Sequence, residues 1–214
     1  MRRKIGILGS GRVARVLAGG FIANGDDVML GTRDRTKLAD WLKQNTKARI
    51  GSFDETAAHG ELIVLAVKGS VAEGLVKSLE KNLASKTVID TTNPIADSPP
   101  VNGVLRYFTN LDESLMERLQ RAAPAANFVK AFNCVGNEFM VNPKISGGPP
   151  TMFIAGNNES ARQEVTGILE QFGWDVGDMG KAEAARAIEP LCMLWCIPLM
   201  IGGKRDHAFK LLRG

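Results

Sequence analysis

The feature that most constrains this chain lies within its first two dozen residues. A short apolar run, Lys4 to Gly9 (KIGILG), breaks into Gly9-Ser10-Gly11-Arg12-Val13-Ala14 and then continues with Val13, Val16, Leu17, Gly20 and Phe21 at helical spacing. Strand, G-x-G-x-x-A turn and helix, in that order, open a dinucleotide-binding βαβ unit. Each small residue has a physical task. Gly9 permits the tight turn, Gly11 lets backbone approach a diphosphate, and Ala14 lets the helix pack closely on the sheet. The free N–H groups at the start of the helix then face the anion. Gly9, Ser10, Gly11, Arg12 and Val13 are therefore expected at a dinucleotide phosphate site.

The rest of the chain keeps the same alternation. Strands are expected at Asp27 to Gly31, Ala48 to Gly51, Glu61 to Val67, Lys86 to Asp90 and Asn127 to Phe132. The helices between them start near Asp34, Ser70 and Asp112. Glu61 to Val67 (ELIVLAV) is almost continuously apolar, the pattern of a strand buried on both faces. Thr91 to Leu105, with Pro94, Pro99, Pro100 and Gly103, reads as a loop, and Pro143 to Pro150 as a second. A strand at Thr151 to Ala155, a helix at Glu159 to Phe172 and a strand at Trp174 to Val176 follow. From Ala182 the pattern is helical, with a break expected near Pro198 to Gly203. The fold class is α/β: a Rossmann-type, doubly wound, mainly parallel sheet with a small C-terminal helical part. The expected division is residues 1–180 as the dinucleotide-binding domain with extra strands and 181–214 as C-terminal helices for core or dimer contact.

Composition removes other classes. The 214 residues are 44% hydrophobic and 23% charged, enough to bury a core without disulfides or metals. The net charge of +4 is spread along the chain, which argues against a nucleic-acid tract and for an anionic small molecule. Three cysteines, Cys134, Cys192 and Cys196, do not form a secreted disulfide framework, so a reducing, cytoplasmic setting is expected. Gly6, Gly9, Gly11 and Arg12 interrupt any signal-peptide core. The apolar stretch Leu191 to Ile201 is shorter than the roughly 20 residues a bilayer needs, so no membrane span is expected. No His/Cys cluster has metal-site spacing, and no metal is expected.

The second strand indicates which dinucleotide. Sites for NAD put an acid at its end to hold the ribose 2′-hydroxyl. Here the strand ends Leu30-Gly31-Thr32-Arg33. Arg33 offers a planar fork to a phosphate, Thr32 a hydroxyl, and Lys37 a further charge one turn later, so NADP(H) is expected. Asp34 can turn away as an N-cap.

Several segments together resemble the NADP-dependent reductases of the deazaflavin coenzyme F420. They are GILGSGRVA, Gly31-Thr32-Arg33, Asp90-Thr91-Thr92-Asn93-Pro94 and Val129-Lys130-Ala131-Phe132-Asn133, with the tail Glu189-Pro190-Leu191 to Trp195 and Asp206 to Leu212. The resemblance runs through nearly the whole chain in order. It implies hydride exchange between NADP(H) and a deazaflavin, flavin or other small redox acceptor, often in a homodimer. It also implies that Ala66, Val67 and Lys68 join the cofactor site. Asn93 and Pro94 would lie near the nicotinamide, with Ala131 and Asn133 on the other side of that pocket. The chain departs from its relatives at Lys68, where Pro is frequent, and at Cys134, where Thr is common.

Hydride transfer between two rings needs them stacked about 3–3.5 Å apart at the reacting carbons, and no dedicated acid or base. The residues agree, and no catalytic residue is assigned. Neither His59 nor His207, expected in a surface turn and a tail helix, is placed as a general base. Cys192 and Cys196 share a helical face and read as small buried hydrophobes. Two alternatives remain: a hydroxy-acid or imine dehydrogenase with Lys68 or Lys130 as acid/base, and a non-catalytic NADP(H)-binding regulatory module.

Overall fold

The computed structural model describes residues 2–214. Strand β1 (Lys4–Leu8) leads into helix α1 (Arg12–Ala23), then β2 (Asp27–Gly31), a 3-10 turn (Arg35–Leu38), α2 (Ala39–Gln44) and β3 (Arg49–Gly51). Next come α3 (Phe53–His59), β4 (Leu62–Leu65), α4 (Gly69–Ser78), α5 (Glu80–Leu83) and β5 (Thr87–Asp90). Then follow α6 (Leu115–Ala122), β6 (Asn127–Lys130), β7 (Thr151–Ile154), α7 (Glu159–Gln171), β8 (Asp175–Asp178) and α8 (Ala185–Gly202).

Strands β1 to β6 form one parallel sheet in the order 3-2-1-4-5-6, the doubly wound Rossmann order. Because alternate side chains face opposite ways, this sheet feeds two cores. Ile5, Ile7, Leu30, Val64, Ile89 and Val129 pack against one layer with Leu17, Phe21, Val165 and Ile168 of α1 and α7. Leu8, Ile63, Leu65, Val88 and Phe128 pack against the other with Ala57, Ala72, Val76 and Leu119 of α3, α4 and α6. Strand β4 is buried along its whole length, as the apolar run requires. Two capping boxes start helices: Ser52 with Glu55 for α3, and Ser114 with Glu117 for α6. The second starts α6 at Leu115, three residues later than the apolar spacing suggests. Strands β7 and β8 pair in parallel as a separate two-stranded sheet.

Two expectations need correction. Strand β6 stops at Lys130 rather than Phe132, because Phe132 has a φ of 60° and turns the chain. Helix α8 runs through Pro190 and Pro198 and stops at the far end of the expected 198–203 break, where Gly203 takes a left-handed φ of 67°. Residues 204–214 form no helix, so the 181–214 segment holds one long helix and an extended tail. The tail backbone finds its partners at β7 instead: Thr151 N–H donates to the Phe209 carbonyl at 2.9 Å, and Leu211 N–H to Thr151 Oγ1 at 3.0 Å. His207 is therefore on this strap, stacked on Trp195 with ring centroids 4.9 Å apart.

Helix α8 and the turn before it, Ala182–Gly202, are longer than the apolar stretch within them. With a mean hydropathy of 1.5 they are long and apolar enough to cross a membrane by length and composition. In the structure Ile188, Glu189, Cys192 and Trp195 of this helix are buried in the domain.

Candidate functional site

In a sheet of this order the connections leave opposite faces at β1 and β4, and ligands bind beyond the carboxyl ends of the strands at that switch. A cavity of about 500 Å³ lies there. It brings together Gly9, Ser10 and Gly11 from the first turn, Thr32, Arg33 and Lys37 after β2, and Ala66, Val67 and Lys68 after β4. Asp34, Phe53, Val71 and Leu75 complete its wall.

The two glycines answer different demands. At Gly9, φ is 142° and a Cβ would lie 2.2 Å from the Ala66 carbonyl oxygen, so the turn admits no side chain. At Gly11 a Cβ would meet no protein atom within 4 Å. Nothing in the protein demands a glycine there, yet Gly11 lines the cavity and is the N-cap of α1, which no side chain caps. A bare helix N-terminus beside an open cradle is what a diphosphate takes up. Arg15 Nε donates to the Ser10 carbonyl at 3.1 Å and steadies the turn. Arg12 and Val13 sit in the first turn of α1, outside the cavity lining.

The rim after β2 is cationic. Arg33 and Lys37 are exposed, and among the described residues neither has a carboxylate within ion-pair distance. Thr32 is nearly buried, and its hydroxyl is occupied by Ser10 Oγ at 3.2 Å and the Asp34 carbonyl at 3.0 Å. It braces the phosphate turn against the rim. Asp34 accepts from Thr36 N–H at 3.0 Å and Thr36 Oγ1 at 2.6 Å, which hold its carboxyl below the ordinary aspartate range. These residues fit a dinucleotide with a 2′-phosphate: a turn open to the diphosphate, unpaired cations for the extra phosphate, and an apolar wall of Phe53, Val71 and Leu75 for the base. The apolar wall escaped the sequence reading. Its only signal was the S-x-x-E box that sets Phe53 at the head of α3.

The other four expected residues gather one strand further along. Asn93 Nδ2 donates to the Asn133 carbonyl at 2.8 Å, and Asn133 Nδ2 donates to Asn93 Oδ1 at 3.2 Å and the Ile188 carbonyl of α8 at 3.0 Å. Pro94 and Ala131 are buried beside them, Ala131 completely. None of the four lines the 500 Å³ cavity.

Beneath this wall lies a cluster that sequence reasoning did not assemble. Lys130, fully buried, donates to the Thr92 carbonyl at 2.8 Å and is ion-paired with Asp90 Oδ2 at 2.6 Å and Glu189 Oε1 at 2.9 Å. Burial works against its ammonium, but the Asp90 and Glu189 carboxylates outweigh that and hold its pKa above the ordinary lysine value. The signal for Glu189 was an acid at the head of an apolar helix, which needs a partner if buried. A lysine so committed cannot serve as a free acid/base. Lys68 is exposed and paired with Asp97. His59 lies at the end of α3 against the Asp27 carbonyl at 3.2 Å, and His207 against the Trp195 carbonyl at 3.0 Å. Among the described residues no three His, Cys, Asp or Glu converge as a metal site.

The sheet order, the open phosphate turn and the cationic rim define a Rossmann dinucleotide-binding domain. A family model described as NADP oxidoreductase, coenzyme F420-dependent, matches residues 4–94. A proposed F420-dependent NADP reductase of Arthrobacter sp. FB24 is 31% identical, with a TM-score of 0.93 over 99% of this chain and 100% of that one. The chain belongs to this family of NADP oxidoreductases. Metalloreductase STEAP3 of Rattus norvegicus is 29% identical over 202 residues, which are 92% of this chain and 39% of that protein. The chain thus spans well under half the length of that curated relative. A Plasmodium falciparum pyrroline carboxylate reductase with NADP bound shares the fold at 18% identity and a TM-score of 0.55, over 88% of this chain and 61% of that one.

Proposed function

We propose that this chain exchanges hydride between NADP(H) and a planar small-molecule acceptor, a deazaflavin such as coenzyme F420, a flavin or a related ring. The observation that carries the reading is the juxtaposition of the open Gly11 turn and the unpaired Arg33 and Lys37 with the Asn93–Asn133 wall beyond β5 and β6. The turn with Arg12 and Val13 at the helix start holds the diphosphate, Arg33 and Lys37 the 2′-phosphate, and Ala66 to Lys68 the opposite rim. Asn93, Pro94, Ala131 and Asn133 border the nicotinamide end. The reduced nicotinamide supplies the hydride, so the chain's own residues bind, orient and exclude water. Full burial of Lys130 between two carboxylates favours this over a dehydrogenase that protonates its substrate. The test is NADPH oxidation with coenzyme F420, FMN and keto acids in parallel. Turnover confined to the ring acceptors supports the proposal, turnover only on keto acids refutes it, and tight NADPH binding without any turnover makes the chain a binding module.

The same reading places the protein in the cytoplasm, acting on a small molecule, without nucleic acid or membrane, and as a homodimer. The exposed Val101, Leu194 and Ile201, where Gly103 abuts Ile201, support a dimer face at the end of α8. Sedimentation of the wild type and of Ile201→Asp tests it.

A further inference from the structure

The Lys130 cluster lies at the carboxyl ends of β5 and β6, buried from solvent and outside the lining of the 500 Å³ cavity. Its polar contacts reach the Thr92 backbone beside Asn93, the N-terminus of α6 and, through Glu189, helix α8. Asp90 Oδ1 accepts from Thr92 N–H at 2.9 Å and Thr92 Oγ1 at 2.7 Å, and Lys130 Nζ grips the Thr92 carbonyl, so the residue before Asn93 is held on three sides. Glu189 accepts from the Leu115 and Met116 N–H groups at 2.9 and 3.0 Å and so caps α6 from a different helix. Its own carbonyl accepts from Tyr107 Oη at 2.8 Å. One residue upstream, the Ile188 carbonyl is the partner of Asn133. A two-carboxylate cluster is costly to bury. The α6 N-terminus and Lys130 together neutralise it, and the product is a fixed separation between Asn93, Asn133 and α8.

We infer that Lys130, Asp90 and Glu189 are positioning residues for hydride transfer: they set the Asn93–Asn133 wall, and thereby the nicotinamide, through the Thr92 backbone and α8. The inference rests on the proposed NADP(H) reading. It predicts a split, because the cluster lies away from the cavity that supplies dinucleotide affinity.

The test uses Glu189→Gln, which leaves Lys130 paired with Asp90, and the isosteric Thr92→Val, which keeps every charge. NADPH affinity is measured by calorimetry, the ring's environment by the fluorescence of bound NADPH, and transfer by single turnover with FMN and 4-deuterated NADPH. The expected result in either folded variant is a dissociation constant within about threefold of wild type. With it should come loss of the emission enhancement and transfer slower by on the order of 10–100-fold, with the isotope effect more fully expressed. A cluster that only stabilises the fold would lower the melting temperature and leave emission, transfer rate and isotope effect of the folded protein unchanged, which overturns the inference. So does loss of affinity in proportion to rate. If Glu189→Gln does not fold, Thr92→Val decides by the same readouts. Failure of wild type to bind NADPH would instead overturn the underlying reading, whatever the variants do.

Discussion

Removing the Arg33 guanidinium should weaken NADPH and spare NADH. The structure sets the size of the effect. Arg33 is exposed at the cavity rim with no carboxylate partner among the described residues, so no internal ion pair must break before it meets a phosphate. A charge-assisted hydrogen bond contributes about 1.5–3 kcal/mol. Exposure to solvent puts this one in the lower part of that range, about 1.5–2 kcal/mol, or about 10–30-fold in Kd. Lys37 stands one turn further on as a point charge, and its removal should cost only about 0.5–1 kcal/mol, or about 2–5-fold. NADH, without the 2′-phosphate, should change by no more than about twofold with either variant. Calorimetry with both dinucleotides on wild type and Arg33→Ala closes a cycle whose coupling term belongs to the arginine–phosphate pair alone. Its magnitude should shrink as salt is raised, since the pair is open to screening. Equal losses for the two dinucleotides, or a coupling indifferent to salt, would refute the assignment of Arg33 to the phosphate.

The two glycines of the turn should separate stability from binding: Gly9→Ala meets the Ala66 carbonyl at positive φ and should lower the melting temperature, whereas Gly11→Val should melt like wild type and lose NADPH affinity in the same calorimeter. Glu117, bonded to Arg186 of α8 and to Ser114, has its carboxyl lowered from 4.5 to about 2. A depressed carboxyl stabilises the fold above its unfolded value and ceases to as pH falls through the folded one. Melting temperature should therefore fall between pH 4.5 and about 2, and Glu117→Gln should flatten that limb. Burial pushes the Cys134 thiol up to about 12, while the thiol of half-buried Cys196 is lowered by its bond from Cys192. Timed alkylation read by mass spectrometry should label Cys196 first and Cys134 only on unfolding.

How much of this was legible in the sequence depends on the range of the interaction. The phosphate turn and its rim could be read because the strand, glycines and helix that build them are adjacent in the chain, and because Arg33 follows β2 directly. The parallel, doubly wound sheet followed from the alternation of strand and helix along the chain. The course of residues 204–214 could not be read, because the segment's register is set by β7, more than fifty residues away, and not by its own spacing. Phe132 looked like strand because it is apolar and aromatic. Its positive φ is imposed where the chain must bring Asn133 back to Asn93, a demand no local propensity expresses. The Lys130 cluster was hidden for the same reason: Asp90, Lys130 and Glu189 are each unremarkable alone, and only the fold makes them one group.

Under the proposed function, affinity and orientation come from two places at the carboxyl ends of the strands, and the turn after β4 joins them. The cavity between β1, β2 and β4 offers the diphosphate turn and the cationic rim, while the Asn93–Asn133 wall lies beyond β5 and β6. Between them α4 begins at Gly69, where a Cβ would stand 2.0 Å from the Asn93 carbonyl oxygen. Lys68, its neighbour, lines the cavity and pairs with Asp97 on the segment that follows Pro94. The turn after β4 thus touches the dinucleotide cavity with one residue and the Asn93 wall with the next. A dinucleotide long enough to reach from the Gly11 turn to Asn93 must pass this turn, so a side chain at Gly69 would displace the wall without touching the phosphate site. Lys68, by contrast, acts on the cavity and the 95–108 segment at once. Its pair with Asp97 is exposed and worth at most about 1 kcal/mol. Under the proposed function the ammonium can therefore leave Asp97 for a phosphate oxygen at little cost, while the segment after Pro94 keeps its backbone bonds and the Tyr107–Glu189 bond.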